Sequence, residues 1–336
     1  MSSTNKQNEI HRFMFRNLAV MGNLIVLNSA WQDIIKDRNY SNITKEILGG
    51  LTLFSVLFAD KMKRDVVLNF QLKAISPVEF VRVEAIKEIA QSFNKENSLF
   101  IRGMARSSKN SNENSNENSN ENSNENSNKI SNENSDNFIS DENSYLLMNL
   151  MLPNHKQPYQ SFVPLVIENK KLNLSKTLTE FLQLSEQQQS YIKIFVSDDF
   201  VGGIFLQKMP EENSNNNNNN NNIDEDAFNR LCNFANTLNA TELKNLDATE
   251  ILFRLFNEDI KSLEVFIPEN IYYRNNGGYD YLNKITQIIK SMGKEQAFKL
   301  LNENAERKII ISDEMSNKDY ELTEMDLVKI FNDNCE

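Results

Sequence analysis

The sequence predicts an α+β protein: an N-terminal core domain of mixed sheets with packed helices, a helical linker and a small C-terminal α+β module. Three observations carry this reading. Short runs alternate in the manner of half-buried strands, as where Val66, Leu68, Phe70 and Leu72 alternate with Val67, Asn69 and Gln71. Longer segments place apolar residues at helical spacing, as in Leu174, Leu178, Phe181 and Leu182. Strand-like runs also lie on both sides of a long polar tract, so that tract interrupts one domain and does not separate two.

Taken in order, a short strand is expected near Leu24 to Leu27. A helix follows over about residues 29–36 with Asn28 as cap, then a buried helix over residues 42–62. The apolar stretch inside that second helix includes Gly49, Gly50, Thr52 and Ser55 and falls short of the roughly 20 residues that span a bilayer. Residues 66–72 and the run Val78, Phe80, Val81 and Val83 form a hairpin turned at Ser76-Pro77, and residues 99–106 add a third strand. Strands resume over residues 145–152 and 161–167, followed by the helix over residues 174–184. Residues 191–196 and 202–209 then read as a hairpin closed around Ser197-Asp198-Asp199. The pair Gly202-Gly203 lacks the lysine of a phosphate loop and marks a strand in close approach to its neighbour.

The core domain is assigned to residues 1–210, with an insertion at 107–143 built on an Asn-Ser-Asn-Glu repeat. Almost no apolar residue interrupts the repeat, so it cannot bury enough surface to offset chain ordering at about 1 to 2 kcal/mol per residue. Disorder is the expectation for it and for an Asn-rich loop over residues 211–223. The insertion holds six Glu, two Asp and two Lys, more than half of the chain's net charge of -11. What remains gives no electrostatic footprint for nucleic acid or an anionic membrane, so neither is expected as a partner.

The helical linker is assigned to residues 224–266. Phe228, Leu231, Cys232, Ala235 and Leu238 line one face of its first helix. Asp247-Ala248-Thr249-Glu250 is a capping-box variant that opens a second helix with the stripe Ile251, Leu252, Leu255 and Phe256. After Pro268 the C-terminal module, residues 267–336, reads as two helices over residues 279–292 and 294–302 split by Gly293. A hairpin over residues 307–322 and a closing helix capped by Thr323 complete it.

Reactive chemistry is sparse. Of the two histidines, His11 and His155, neither has a nucleophile and an orienting group in view, so no enzymatic site is expected. Cys232 and Cys335 are too few for a disulfide framework. Cys232 falls on an apolar stripe, where cysteine behaves as a small hydrophobe, and Cys335 has the acidic neighbours Asp333 and Glu336, which disfavour a thiolate. The polar opening of the chain shows no leader pattern, and a cytoplasmic location is the default expectation.

A set of short motifs runs through nearly the whole chain in a fixed order. These are His11-Arg12-Phe13 followed by Asn17-Leu18-Ala19-Val20, then Arg102-Gly103-Met104-Ala105-Arg106 and Ser185-Glu186-Gln187. After them come the segment from Val201-Gly202-Gly203 to Met209-Pro210 and Leu252-Phe253-Arg254-Leu255. In order and spacing the chain resembles the heat-shock protein 33 family, bacterial redox-switched holdase chaperones. The resemblance implies a stress-response chaperone that binds unfolding proteins without ATP, with dimers as its active form. It also implies a zinc site made by a Cys-x-Cys and a Cys-x-x-Cys pair, and here the chain departs from the family. The matching positions are Tyr273 and Asn275, then Ser312 and Met315.

Structural zinc needs four thiolate or imidazole ligands, so no zinc and no other cofactor is expected. The module's many aliphatic and aromatic residues are expected to close it hydrophobically instead. The functional expectation is a holdase for unfolded or misfolded clients whose zinc-thiol switch is lost, with Phe228, Leu231, Phe234, Leu238, Ile251, Leu252, Leu255 and Phe256 as client-binding residues. The alternative is an adaptor or structural protein that keeps the fold and binds one specific partner.

Overall fold

The computed structural model describes residues 8–89, 98–108, 138–153, 157–187, 189–209, 220–274, 279–313, 315 and 318–332. The chain forms two compact units, Met1–Tyr273 and Arg274–Glu336.

The first unit begins with β1 (Glu9–Phe15) and β2 (Val20–Leu27), an antiparallel pair, followed by α1 (Ser29–Ile35) and α2 (Asn42–Asp60). Next come β3 (Val66–Lys73), β4 (Val78–Glu88), β5 (Ser98–Ser107), β6 (Tyr145–Met151) and β7 (Tyr159–Pro164). The two-residue strands β8 (Ile167–Glu168) and β9 (Lys171–Leu172) form a small hairpin ahead of α3 (Leu174–Glu186). Then follow β10 (Ser190–Val196), β11 (Val201–Lys208), α4 (Asn220–Asn236), α5 (Ala240–Asn245), α6 (Ala248–Phe256), β12 (Leu263–Val265) and β13 (Glu269–Tyr273).

Among the described residues, eleven strands make one mixed sheet in the order β10-β11-β2-β1-β13-β5-β4-β3-β6-β7, with β12 also paired to β1. Sequence reading ends the core at residue 210 and opens the last module at residue 267. The structure instead carries the first unit on to Tyr273, because β12 and β13 pair with the core strands β1 and β5.

α2 lies against one face of this sheet and is apolar almost all round, as a helix enclosed by a core must be. It is the one described helix long and apolar enough to cross a membrane, and 78% of its apolar window is buried inside the protein. Ser41 caps it by accepting the Thr44 N–H at 3.3 Å. The polar Thr52 and Ser55 are accommodated by donating to Leu48 O and Leu51 O, at 2.8 and 2.7 Å. Phe54 and Phe58 of α2 meet Phe70 of β3 and Phe181 of α3 in edge-on or tilted contacts with ring centroids 5.1 to 6.0 Å apart. Such pairs add about 0.5–1.5 kcal/mol each beyond area burial.

Glycine is required where β11 crosses its neighbour. A Cβ on Gly203 would stand 2.3 Å from the Lys193 carbonyl oxygen of β10, closer than any real contact allows. The close approach expected at Gly202-Gly203 is thus explained by backbone, not by a ligand.

Two segments differ from expectation at their ends. The Asn-Ser-Asn-Glu repeat lies outside the described residues, but the insertion's last residues return to the fold. Phe138 is buried and donates its N–H to Lys170 O at 2.8 Å, and Ile139 bridges to Ser76. The physical reason is Phe138 itself, the first large aromatic after the polar repeat. At the second polar tract, α4 begins at Asn220, inside the loop assigned to residues 211–223.

The second unit holds α7 (Tyr279–Met292), α8 (Lys294–Glu303), the hairpin β14 (Ile309–Asp313) and β15 (Lys318–Leu322), and α9 (Glu324–Asn332). Ile285, Ile289, Ala297, Leu301, Leu322 and Leu327 form its dry centre, with Phe298, Ile309, Ile311, Tyr320, Ile330 and Phe331 packed around them. Gly293, at φ +87°, turns the chain between α7 and α8 in a conformation that a side chain would strain.

Candidate functional site: the roofed face of the sheet

The half-sheet of β10, β11, β2 and β1 has apolar residues on both faces. One face joins the main core. The other presents Phe13, Phe15, Val20, Leu24, Val26, Ile204 and Leu206, and helices α4 to α6 roof it. The stripes read from sequence are the underside of that roof: Phe228, Leu231, Leu238, Ile251, Leu252, Leu255 and Phe256 are buried there, and Phe234 is half-buried at its margin. Phe256 packs edge-on against Phe15 with centroids 5.0 Å apart and lies 5.8 Å from Phe13. Burying one such side chain stabilises by about 1.5–3 kcal/mol, so these residues hold the helices down and the helices keep the face from water.

Polar contacts fix the roof at its edges. Reciprocal capping boxes start α5 and α6: Asn239 accepts from Glu242 N at 3.0 Å while Glu242 accepts from Asn239 N at 3.0 Å, and Asp247 and Glu250 do the same at 2.8 and 3.0 Å. Lys193 of β10 donates to Leu238 O at 2.9 Å, placing a cation at the C-terminal end of α4, where the helix dipole favours it. Arg254 of α6 pairs with Glu242 of α5 at 2.8 Å. Tyr191 donates to Asn236 Oδ1 at 3.2 Å, and burial pushes its phenol up to about 12. Cys232 is half-buried in α4, and burial pushes its thiol up to about 12 as well, which keeps it protonated and unreactive.

Sequence reasoning gives the stripes of α4 and α6 and the strands β2 and β11 beneath them, but neither α5 nor β1. Phe13 and Phe15 sit at strand spacing, and Met14 between them and Arg12 before them point the other way. That alternation was the available signal for β1.

The positions matching the family's zinc ligands do not offer zinc chemistry. Tyr273 ends β13, partly buried against the main core. In the second unit the Ser312 hydroxyl donates to Asp319 Oδ1 at 2.6 Å, and Met315 is buried. Asn275 lies outside the described residues. A phenol, an amide, a hydroxyl and a thioether do not make the thiolate or imidazole set of a tetrahedral structural site. Among the described residues no group of three or more His, Cys, Asp or Glu is placed to hold a metal ion.

The architecture matches a solved structure. A 33 kDa chaperonin of Thermotoga maritima superposes with a TM-score of 0.64 over 96% of this chain and 97% of that one, at 16% identity. Relatives described as 33 kDa chaperonin include one from Neisseria meningitidis serogroup A, 26% identical over 78% of this chain and 72% of its own length. Another, from Methylobacillus flagellatus, is 23% identical over 96% of this chain and 94% of its own. The class these comparisons define is a molecular chaperone. A family model described as Hsp33 protein matches residues 8–323, and the chain belongs to the Hsp33 family.

Proposed function

We propose that this protein is an ATP-independent holdase whose apolar surfaces are uncovered by unfolding stress, without a zinc-thiol switch. The observation that carries the reading is the roof: two matched apolar surfaces, one on the sheet and one on α4 to α6, are closed on each other by packing and exposed helix caps. Elements held by one docked face and water-exposed polar contacts belong to the low-stability end of a fold, so they release before the main core. Release presents both surfaces to apolar segments of unfolding clients.

Two further features support the trigger. The zinc positions carry the wrong donors, and the second unit has an apolar centre of its own. Cys232, the one described cysteine, is protonated and half-covered, a poor sensor for peroxide. Heat or general unfolding is the signal such a latch answers.

The test is light scattering of a thermally unfolding client enzyme with purified full-length protein. The reading expects suppression of aggregation that sets in with temperature and is unchanged by thiol reductant or metal chelator. Suppression that begins only after peroxide treatment and reverses with reductant would refute it.

A further inference from the structure

The two halves of the large sheet meet at a single strand. β1 ends one half, β5 ends the other, and the five residues of β13 lie between them. Its ladders are short on both sides. Glu269 and Asn270 pair antiparallel with Ile10 and Glu9, and Ile271, Tyr272 and Tyr273 pair parallel with Leu99, Phe100 and Ile101.

Alternate residues of β13 face opposite ways. Ile271 enters the main core. Tyr272 is turned out to solvent, its ring centroid 5.8 Å from that of Phe100. Glu269, two positions before Ile271, enters a buried charge cluster. Arg12 pairs with Glu269 and also holds the Asp60 carboxylate through Nε and Nη2 at 2.8 and 2.7 Å. Lys87 Nζ stands 4.0 Å from Glu269 Oε2 and 3.8 Å from Asp60 Oδ1, and donates to the Asp60 carbonyl at 2.6 Å. The Asp60 and Lys87 side chains are 2% and 4% exposed.

With β13 in place, two carboxylates face two cations. Without it, one carboxylate faces two cations, Arg12 part-exposed and Lys87 buried, and an unbalanced charge beside the buried Lys87 is costly. The vacated edges of β1 and β5 would carry unpaired N–H and C=O groups on both sides, which is the condition for strand addition. The chemistry required of a replacement is therefore specific: an extended backbone, an aliphatic residue facing the core, and a carboxylate two positions before it.

We propose that the place of β13 is a strand-acceptor slot, in which β1 and β5 bind an extended client segment bearing an acidic residue two positions before an aliphatic one. This rests on the holdase reading and adds the chemistry of the client. β13 follows the roof helices in the chain, so it is joined by backbone to the element that the holdase reading releases.

Register-paired cysteines provide the test: Phe100→Cys with Tyr272→Cys, in a full-length chain carrying Cys232→Ser and Cys335→Ser. The disulfide holds β13 in place while leaving residues 220–256 free to detach, and the reduced form of the same protein is its folding control. The slot expects the oxidised protein to lose most of its aggregation suppression on heating and to regain it with reductant. It also expects a fluorescent peptide with the sequence of residues 268–273 to bind the heated reduced protein and not the oxidised one, with binding at least tenfold weaker when Gln replaces its Glu. Equal suppression by both forms overturns the slot, as does a peptide that binds both forms or neither. Failure of the reduced protein against every client counts against the holdase reading itself, and the peptide then decides the slot alone.

Discussion

At the scale of single residues, Gly203 and Cys232 make separable predictions. Alanine at Gly203 places a Cβ 2.3 Å from the Lys193 carbonyl, and backbone cannot give way as a flexible side chain does. Gly203→Ala should destabilise the first unit by about 2 kcal/mol, within the range of overpacked cores, read as a lower urea midpoint. Cys232 tests the roof. Its raised pKa and partial cover predict slow alkylation by iodoacetamide at pH 8 in the resting protein, mapped by mass spectrometry to distinguish it from Cys335. Heating toward the onset of client protection should accelerate that reaction well before the main core melts. Equal reactivity of Cys232 at rest and at onset would mean the roof does not lift.

At the scale of elements, the capping boxes have direct consequences. Asp247 supplies the acceptor for the Glu250 N–H, and Asp247→Ala should cost α6 about 1 kcal/mol. Because α6 carries Ile251, Leu252, Leu255 and Phe256 into the roofed face, the expected result is client protection at a lower temperature, with the main core's melting unchanged. Elements with strong local signals were the ones sequence reading located. The alternation of β3 and β4, the helical stripe of α3 and the Asp247 capping box are all written in consecutive residues. β1 was read as a motif and not as a strand, since Ile10, Phe13 and Phe15 serve two different cores. β12 and β13 escaped because Leu263–Val265 and Glu269–Tyr273 are short, and their pairing partners lie some 250 and 170 residues earlier, a separation that local periodicity does not encode. The hairpin β8–β9 escaped for a related reason: its turn puts Asn169 and Lys170 at positive φ, and Lys at that position carries no turn signal.

At the scale of the whole molecule, the second unit decides whether metal matters. Among the described residues its centre holds six clustered buried apolar side chains, and cutting one back is a strong perturbation. Ile289→Ala should cost about 2–5 kcal/mol of that unit's stability and open residues 274–336 to limited proteolysis. A chelator should leave the unaltered protein's proteolysis pattern as it is. The candidate client surface was legible as helix stripes, Phe228 to Phe256, because amphipathicity is a local property. Its other half, the face of β1, β2 and β11, needed the fold, since strands distant in sequence compose it.

The central claim is that the roof and β13 yield to unfolding stress and not to thiol chemistry. Hydrogen exchange along the chain, followed at rising temperature with and without peroxide, tests it most directly. The account predicts that α4 to α6, β12 and β13 lose protection at a lower temperature than α2, by the same course in both samples. Peroxide alone stripping protection from those segments at resting temperature, or their loss together with α2, would contradict it.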